Sequence, residues 1–389
     1  MRILVAGGGI GGLGAALALA QRGHNVHIFE RDQELRGTGA GVHLGPNAFR
    51  MLERLGLRAG MLAQASIPTA LVMRCALQGH EVTRMPLGEG FAARFGQHYA
   101  VIHSADIQGV LLRACEAHPA ITLTTGRTAR DYSRIGAQVA LYFEDGSSAR
   151  GDLLVGADGL WSRIRTAMLG AEKPVVSGLI AYRAVLPMGE VPPGISRDEV
   201  VLHAGPRLHL VHYPLRQGGL MNLVAVFPGT EYSEGWDQPS DPALLRKHFA
   251  RTRPELRALL DRIEGWKYWV PCDREPRRGW HDGAAVLLGD AAHPMLQHLG
   301  QGASMALEDA LCLADMLAAH PVAGALPAYE EARMLRTGRV QSLARIHGEI
   351  CHAADVRAEL RDAMLAGRSP AAAWEGMAWL YDGPEWPAP

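Results

Sequence analysis

Residues 1–30 read MRILVAGGGIGGLGAALALAQRGHNVHIFE, and this stretch decides the fold. A short apolar run from Ile3 to Ala6 meets a glycine turn, an amphipathic segment from Gly12 to Gln21, a Gly23 stop, and a second apolar run from Val26 to Phe29 closed by Glu30. Strand, turn, helix, strand and acid in that order make a parallel βαβ unit. Gly7 allows the tight turn, Gly9 lets the backbone approach a pyrophosphate, and Gly12 lets the helix lie close to the strand. Phosphates then sit at the helix N-terminus, where unpaired N–H groups and the helix dipole favour negative charge. Glu30 stands where an acid accepts the hydrogen bonds of an adenosine ribose, and its charge opposes a 2′-phosphate, so the pocket suits NAD or FAD. The competing reading is a glycine run that only caps a helix.

At 389 residues, with 48% hydrophobic and 20% charged residues, the chain is long enough for two soluble domains with sizeable cores. A net charge of −1 gives no electrostatic case for nucleic acid or an anionic membrane surface. Lysine occurs only at Lys173, Lys247 and Lys267, which limits any mechanism that needs a lysine base. The five cysteines are scattered and form no CxxC or Cys/His cluster, so neither a disulfide framework nor a metal site is expected. No apolar run is long enough to span a membrane and no signal peptide is present, which predicts a cytoplasmic protein, monomeric or homodimeric.

The pattern predicts a helix from Pro46, a hairpin over 69–86 turning at Gln78-Gly79-His80, a strand from Tyr99 to His103 and a helix from Ala105 to Ala117. Strands follow near 121–124, 137–143 and 152–157. Residues 175–270 are rich in β signals, with a single helix expected over 242–262, and a strand near 285–288 precedes a long helix from Ser304 to Ala319. The tail from Pro327 reads as helical. This predicts an α/β fold: a Rossmann-like unit from residues 1–70, 99–174 and 276–330, an inserted, mostly antiparallel sheet from 71–98 and 175–275, and a helical C-terminal region, 331–389. A ligand shared by the two units belongs at their seam.

Two further glycine-acid elements follow. Gly156-Ala157-Asp158-Gly159 ends the strand Leu153 to Val155, where Asp158 can accept from a ligand or cap the next helix; Arg163 and Arg165 can meet phosphate or solvate that helix. Gly289-Asp290 ends the strand at Val286 to Leu288, and Gly300-Gln301-Gly302-Ala303 opens the long helix with free N–H groups suited to an electron-rich ring edge or an anion.

With these three elements the chain resembles the single-component flavoprotein aromatic hydroxylases, the para-hydroxybenzoate hydroxylase superfamily, over its whole length. The resemblance implies a GR2-type FAD-binding domain and NAD(P)H and O₂ as co-substrates. It also implies cofactor contacts from Gly7, Gly9, Gly12, Glu30, Arg31, Gly41, Asp158, Asp290, Gly302 and Ala303. Within the family the sequence is most similar to 3-hydroxybenzoate 6-hydroxylase and salicylate hydroxylase, through Tyr213-Pro214-Leu215-Arg216, Asn222, Asp273-Arg274-Glu275-Pro276 and Leu296-Gln297. That similarity implies that His209, Tyr213 and Gln297 line the substrate ring. In one respect the chain departs: relatives carry Arg where this chain has Ser104, which removes one cation on the cofactor side.

Flavin chemistry of this kind needs an electron-rich substrate ring, and a histidine near neutral pKa suits deprotonation of a ring hydroxyl. Strand alternation puts His209 and Tyr213 on one face and His212 on the other, so His209 is the expected base, with Tyr213 and Gln297 orienting the substrate. His43, in Gly39-Ala40-Gly41-Val42-His43, and His298 instead resemble 6-hydroxynicotinate 3-monooxygenase, which makes a pyridine carboxylate the alternative substrate. Arg183 and Arg207 are candidates for the carboxylate. A flavin-dependent halogenase is disfavoured because Trp266-Lys267-Tyr268-Trp269-Val270-Pro271 has the wrong spacing for its signature, and a redox-inactive nucleotide carrier because of the Gly-Asp element.

Overall fold

The computed structural model describes residues 1–35, 37, 39, 41–229, 235 and 238–386. The opening stretch folds as its pattern predicts: strand Arg2–Ala6, helix Ile10–Gln21 and strand Asn25–Phe29, with Gly7 at φ 107° making the turn. A Cβ on Gly12 would fall on the Gly7 carbonyl oxygen, so the close helix–strand approach requires glycine there.

Arg2–Ala6 lies inside a six-stranded sheet with the order His281–Asp282, Ala285–Leu287, Leu153–Gly156, Arg2–Ala6, Asn25–Phe29, Ile121–Thr124. All pairs are parallel except that of the edge strand His281–Asp282. Register places Ala6 beside Gly156 and Gly156 beside Leu287, so the three glycine-acid elements leave the sheet side by side at its C-terminal edge. The Ile10–Gln21 helix is sandwiched between this sheet and the long helix Gly302–Ala319, with Gly11 against Leu288 and Gly14 against Leu307. Apolar side chains of all three layers form one core.

A second sheet has eight strands, ordered Gln238–Pro239, Lys267–Trp269, Leu179–Pro187, Leu220–Pro228, Leu208–Leu215, Val200–Gly205, Ala70–Cys75, Glu81–Pro86. It is antiparallel apart from the pairing of Val200–Gly205 with Ala70–Cys75. One face packs Leu208, Leu210, Leu223 and Phe227 against the short helices below it. Here the structure corrects the single helix expected over 242–262. It is two helices, Pro242–Phe249 and Pro254–Leu260, because Pro254 lacks an N–H and holds Arg253 extended. Among the elements that went unpredicted are strands Gly41–Leu44, Ala129–Ile135, Ser148–Gly151 and His281–Asp282 and helices Arg58–Leu62 and Glu89–Phe95. The tail helix starts earlier than expected, spanning Val322–Cys351 with Pro327 inside it, and Val356–Leu365 and Pro370–Tyr381 follow. No helix among the described residues is long and apolar enough to cross a membrane.

Candidate active site

At the C-terminal edge of the parallel sheet, Glu30 accepts hydrogen bonds from Gly8 N (2.6 Å) and Asp32 N (3.0 Å), which pins the acid against the glycine turn. Gly9 faces open space, whereas a Cβ on Gly7 would run into the Ala157 carbonyl, so the first two glycine elements touch. Neither the Ile10–Gln21 helix nor the Gly302–Ala319 helix has a side-chain cap at its N-terminus, and each presents unpaired N–H groups beside the strand ends. Asp290 stands before the second of these helices, 3.9 Å from where a Gly302 Cβ would be, and burial raises its carboxyl pKa. Two helix starts and a strand-end acid at each side fit an extended anionic dinucleotide. Arg31 is exposed, 3.8 Å from Asp32. Ala40 of the Gly39–His43 stretch lies outside the described residues.

Asp158 caps the next helix. Its carboxylate accepts from Ser162 Oγ (2.5 Å), Arg163 N (2.8 Å) and Ile164 N (3.2 Å), and so starts the helix Arg163–Leu169. The two arginines after it diverge. Arg163 is exposed, 3.8 Å from Glu144, whereas Arg165 is buried and donates to the Ala291 and Ala292 carbonyls at 3.0 and 2.8 Å, tying the second element to the third.

Facing this edge is the other side of the eight-stranded sheet. Alternation along Leu208–Leu215 sends His209 and Tyr213 to one face, while His212 on the opposite face meets His203, Nε2 to Nε2, at 3.1 Å. Cross-strand register puts Arg183 level with Val224 and Val211 on the His209–Tyr213 face, between their two rows. Arg207 occupies the preceding turn at φ 58° and lines an outer cavity, so of the two candidate arginines only Arg183 shares the site face.

Tyr213 packs its ring 4.5 Å from His43, whose Nδ1 lies 2.6 Å from Tyr99 Oη. A Cβ on Gly41 would collide with the Tyr213 ring, and Gly41 N donates to Asn222 Oδ1 at 3.2 Å, so the Gly41–Leu44 strand is stitched onto the larger sheet. A Gly300 Cβ would come within 3.0 Å of His43, which brings the loop before the long helix onto the same spot. Two residues earlier on that loop, the His298 ring lies 5.3 Å from that of His209. Gln297 Nε2 and both His298 nitrogens are buried without hydrogen-bond partners, and the His298 ring also lies against Gly348 of the helix Val322–Cys351. Burial lowers the pKa of His43 to about 4 and of His298 to about 3, and it pushes the Tyr213 phenol up. The near-neutral pKa expected of the base does not hold for His209: burial and its neighbours His298, His352 and His347 keep it well below the usual histidine value, so all three site histidines are uncharged at neutral pH.

A family model described as an FAD binding domain matches residues 1–342. A 3-hydroxybenzoate 6-hydroxylase from Aquipseudomonas alcaligenes is 39% identical over 384 residues, covering 97% of each chain. The chain belongs to the FAD-dependent aromatic-ring hydroxylases. A second relative of this aromatic hydroxylase, the 6-hydroxynicotinate 3-monooxygenase of Pseudomonas fluorescens, is 32% identical over 350 residues, 88% of this chain and 90% of that one. Among solved structures, Klebsiella pneumoniae HpxO complexed with FAD and uric acid superposes with a TM-score of 0.87 at 26% identity, covering 98% and 96% of the two chains.

Sequence reading of this hydroxylase missed the buried polar layer beneath the Gly302–Ala319 helix. Arg333 reaches Glu308 Oε2 (2.6 Å) and Asp309 Oδ1 (2.7 Å), Asp309 also receives Gly289 N (3.0 Å) and His293 Nε2 (2.5 Å), and Asn47 donates to Glu308 and Gln301. Burial works to raise the Asp309 carboxyl, yet His293 and Arg333 hold it at about 2. The network fixes both the Gly289-Asp290 turn and the helix start that face the cofactor. Tyr99, His347 and His352 were also missed. Ser104 begins the helix Ser104–Glu116 with its Oγ buried and unpartnered.

Proposed function

We propose that the enzyme consumes NAD(P)H and O₂ to hydroxylate a phenolic aromatic carboxylic acid, with 3-hydroxybenzoate the first candidate and 2,5-dihydroxybenzoate the product. The carrying observation is that His209 and Tyr213, on one face of the inserted sheet, meet the loop bearing Gln297, His298 and Gly300, which opens the helix facing Asp290. Bound FAD, reduced by NAD(P)H, supplies the oxygen-transfer chemistry. Gly7, Gly9, Gly12, Glu30, Arg31 and Gly41 hold it from the first unit, and Asp290, Gly302 and Ala303 from the long-helix start. Asp158 contributes by fixing the backbone between them. His209 takes the proton of the ring hydroxyl, Tyr213 and Gln297 orient the ring, and the packed seam excludes water. Arg183, buried on the same face, is the cation for the carboxylate.

In the same reading residues 1–70, 99–174 and 276–330 form the FAD unit, 71–98 and 175–275 the substrate unit, and 331–389 the helical closure. Support comes from the six-stranded sheet, whose strands fall wholly within the first set. The enzyme draws on the cytoplasmic NAD(P)H pool and acts as a monomer or homodimer. A pyridine carboxylate is the second reading, favoured by His43 and His298 beside Tyr213 and His209. The test mixes the FAD-loaded protein with NADH or NADPH and a panel of hydroxybenzoates and hydroxypyridine carboxylates. Oxidation stimulated by 3-hydroxybenzoate with 2,5-dihydroxybenzoate formed is expected. Stimulation by 6-hydroxynicotinate alone would move the assignment to the second reading, and none by any aromatic acid would overturn both.

A further inference from the structure

His209 is buried, yet its Nδ1 lies 2.7 Å from Nε2 of His352, 143 residues away. His352 ends the helix Val322–Cys351 and is half-buried, and its carbonyl accepts from Arg207 N at 3.1 Å, which locks it against the turn that leads into the His209 strand. Its other side lines a cavity of about 660 Å³ together with Arg207, Glu349, Asp355 and Arg357. Arg207 and Asp355 both hold positive φ, 58° and 51°, so the cavity rim is built from two turns in a conformation that only the surrounding packing maintains. A file of two imidazoles thus runs from the site face of the sheet to an open cavity.

Either ring can be the donor in this contact, and each choice sets the tautomers of both. If His209 donates from Nδ1–H to His352 Nε2, the lone pair of His209 is on Nε2, and His352 carries its proton on Nδ1. We infer that His352 is the exit for the proton that His209 takes from the substrate hydroxyl, passing it to solvent in the cavity beside Arg207. The transfer balances. The substrate O–H breaks as N–H forms at His209 Nε2; the His209 Nδ1 proton moves to His352 Nε2; the His352 Nδ1 proton leaves to water, and both rings end neutral with tautomers exchanged. An exit is needed because buried His209, beside His298 and His347, is a poor resting place for positive charge.

This inference rests on the hydroxylase reading above, with His352 a positioning and relay residue that does not touch substrate. The test uses FAD-loaded wild type, His352→Ala, His352→Gln and His209→Ala with NAD(P)H and 3-hydroxybenzoate. His352→Ala is expected to lower kcat about 10- to 100-fold with KM and flavin content unchanged, and to enlarge the solvent deuterium isotope effect. Millimolar imidazole should restore most of that loss in His352→Ala, and little in His352→Gln or His209→Ala. A kcat near wild type across the neutral pH range, or a loss that imidazole leaves untouched in His352→Ala, overturns the relay. Should no aromatic acid stimulate the wild type, the hydroxylase reading fails by itself. Histidine ¹⁵N spectra then judge the relay: a protonated His209 Nδ1 whose signal shifts in His352→Gln supports it, and an Nε2-protonated His209 overturns it.

Discussion

Gly12 and Gly41 are glycines for different reasons, and the difference is measurable. At Gly12 an added methyl meets backbone, the Gly7 carbonyl, which cannot move without breaking the turn. Gly12→Ala is therefore expected to lose FAD and about 1–3 kcal/mol of stability, read as absorbance at the flavin band and as the unfolding midpoint. At Gly41 the methyl meets a side chain, the buried Tyr213 ring of the site face. Gly41→Ala should weaken FAD retention less than Gly12→Ala does, and in addition raise KM for the aromatic acid and uncouple NAD(P)H oxidation from product formation. His209→Ala is expected to lower hydroxylation about 10²- to 10⁴-fold while flavin content stays at the wild-type level; coupled turnover near normal would remove His209 from the chemistry. The glycines and the shared face of His209 and Tyr213 were legible in the sequence because both follow from local geometry, a turn and a two-residue period. His352 was not, since only the tertiary fold sets a residue at the end of a helix against a strand 143 positions earlier.

Helices and strands were legible to the extent that their periodicity is local. Pro254 was visible in the sequence and should have divided the segment over 242–262; the apolar spacing on both sides of it outweighed the break. Asp158 shows the opposite limit: its position at a strand end suits either a ligand or a cap, and its hydrogen bonds show the capping role, which sits alongside the ligand role rather than replacing it. Asp158→Ala should cost about 1 kcal/mol through the Arg163–Leu169 helix start. The long helix Gly302–Ala319 carries a heavier burden, because Glu308 and Asp309 are fully buried on it and depend on Arg333. Replacing Arg333 by Met removes the cation that the two carboxylates share, leaving Glu308 to Arg336 and Asp309 to His293, and a loss of about 3–5 kcal/mol is expected in denaturant unfolding, together with weaker FAD retention. A triple replacement, Arg333→Met with Glu308→Gln and Asp309→Asn, should recover part of the stability, because the uncompensated charges are then gone.

For the whole molecule, the buried histidines set the response to acid. His43 and His352 are lowered to about 4, His212 and His298 to about 3, each by burial first. The unfolded chain takes these protons near 6.5 while the folded chain refuses them, so the unfolded state binds more protons in this window. Stability is full above about 6.5 and falls as pH drops toward 4 and then 3. The thermal midpoint should decline steadily from neutral pH to pH 4, and the decline should be shallower in His212→Gln, a change on the far side of the sheet from the site. A midpoint flat over that range would mean that these rings are charged in the fold.

Parallel pairing of Arg2–Ala6 with Leu153–Gly156 also has a consequence during synthesis. The strand Arg2–Ala6 is buried on both sides in the finished protein, and one of its two neighbours is translated about 150 residues after it, roughly 8–30 s at ordinary elongation rates. Throughout that interval a sticky apolar ribbon is unpaired along one flank, which makes the nascent chain a client for trigger-factor-like holdases and favours slow, cool expression over rapid induction.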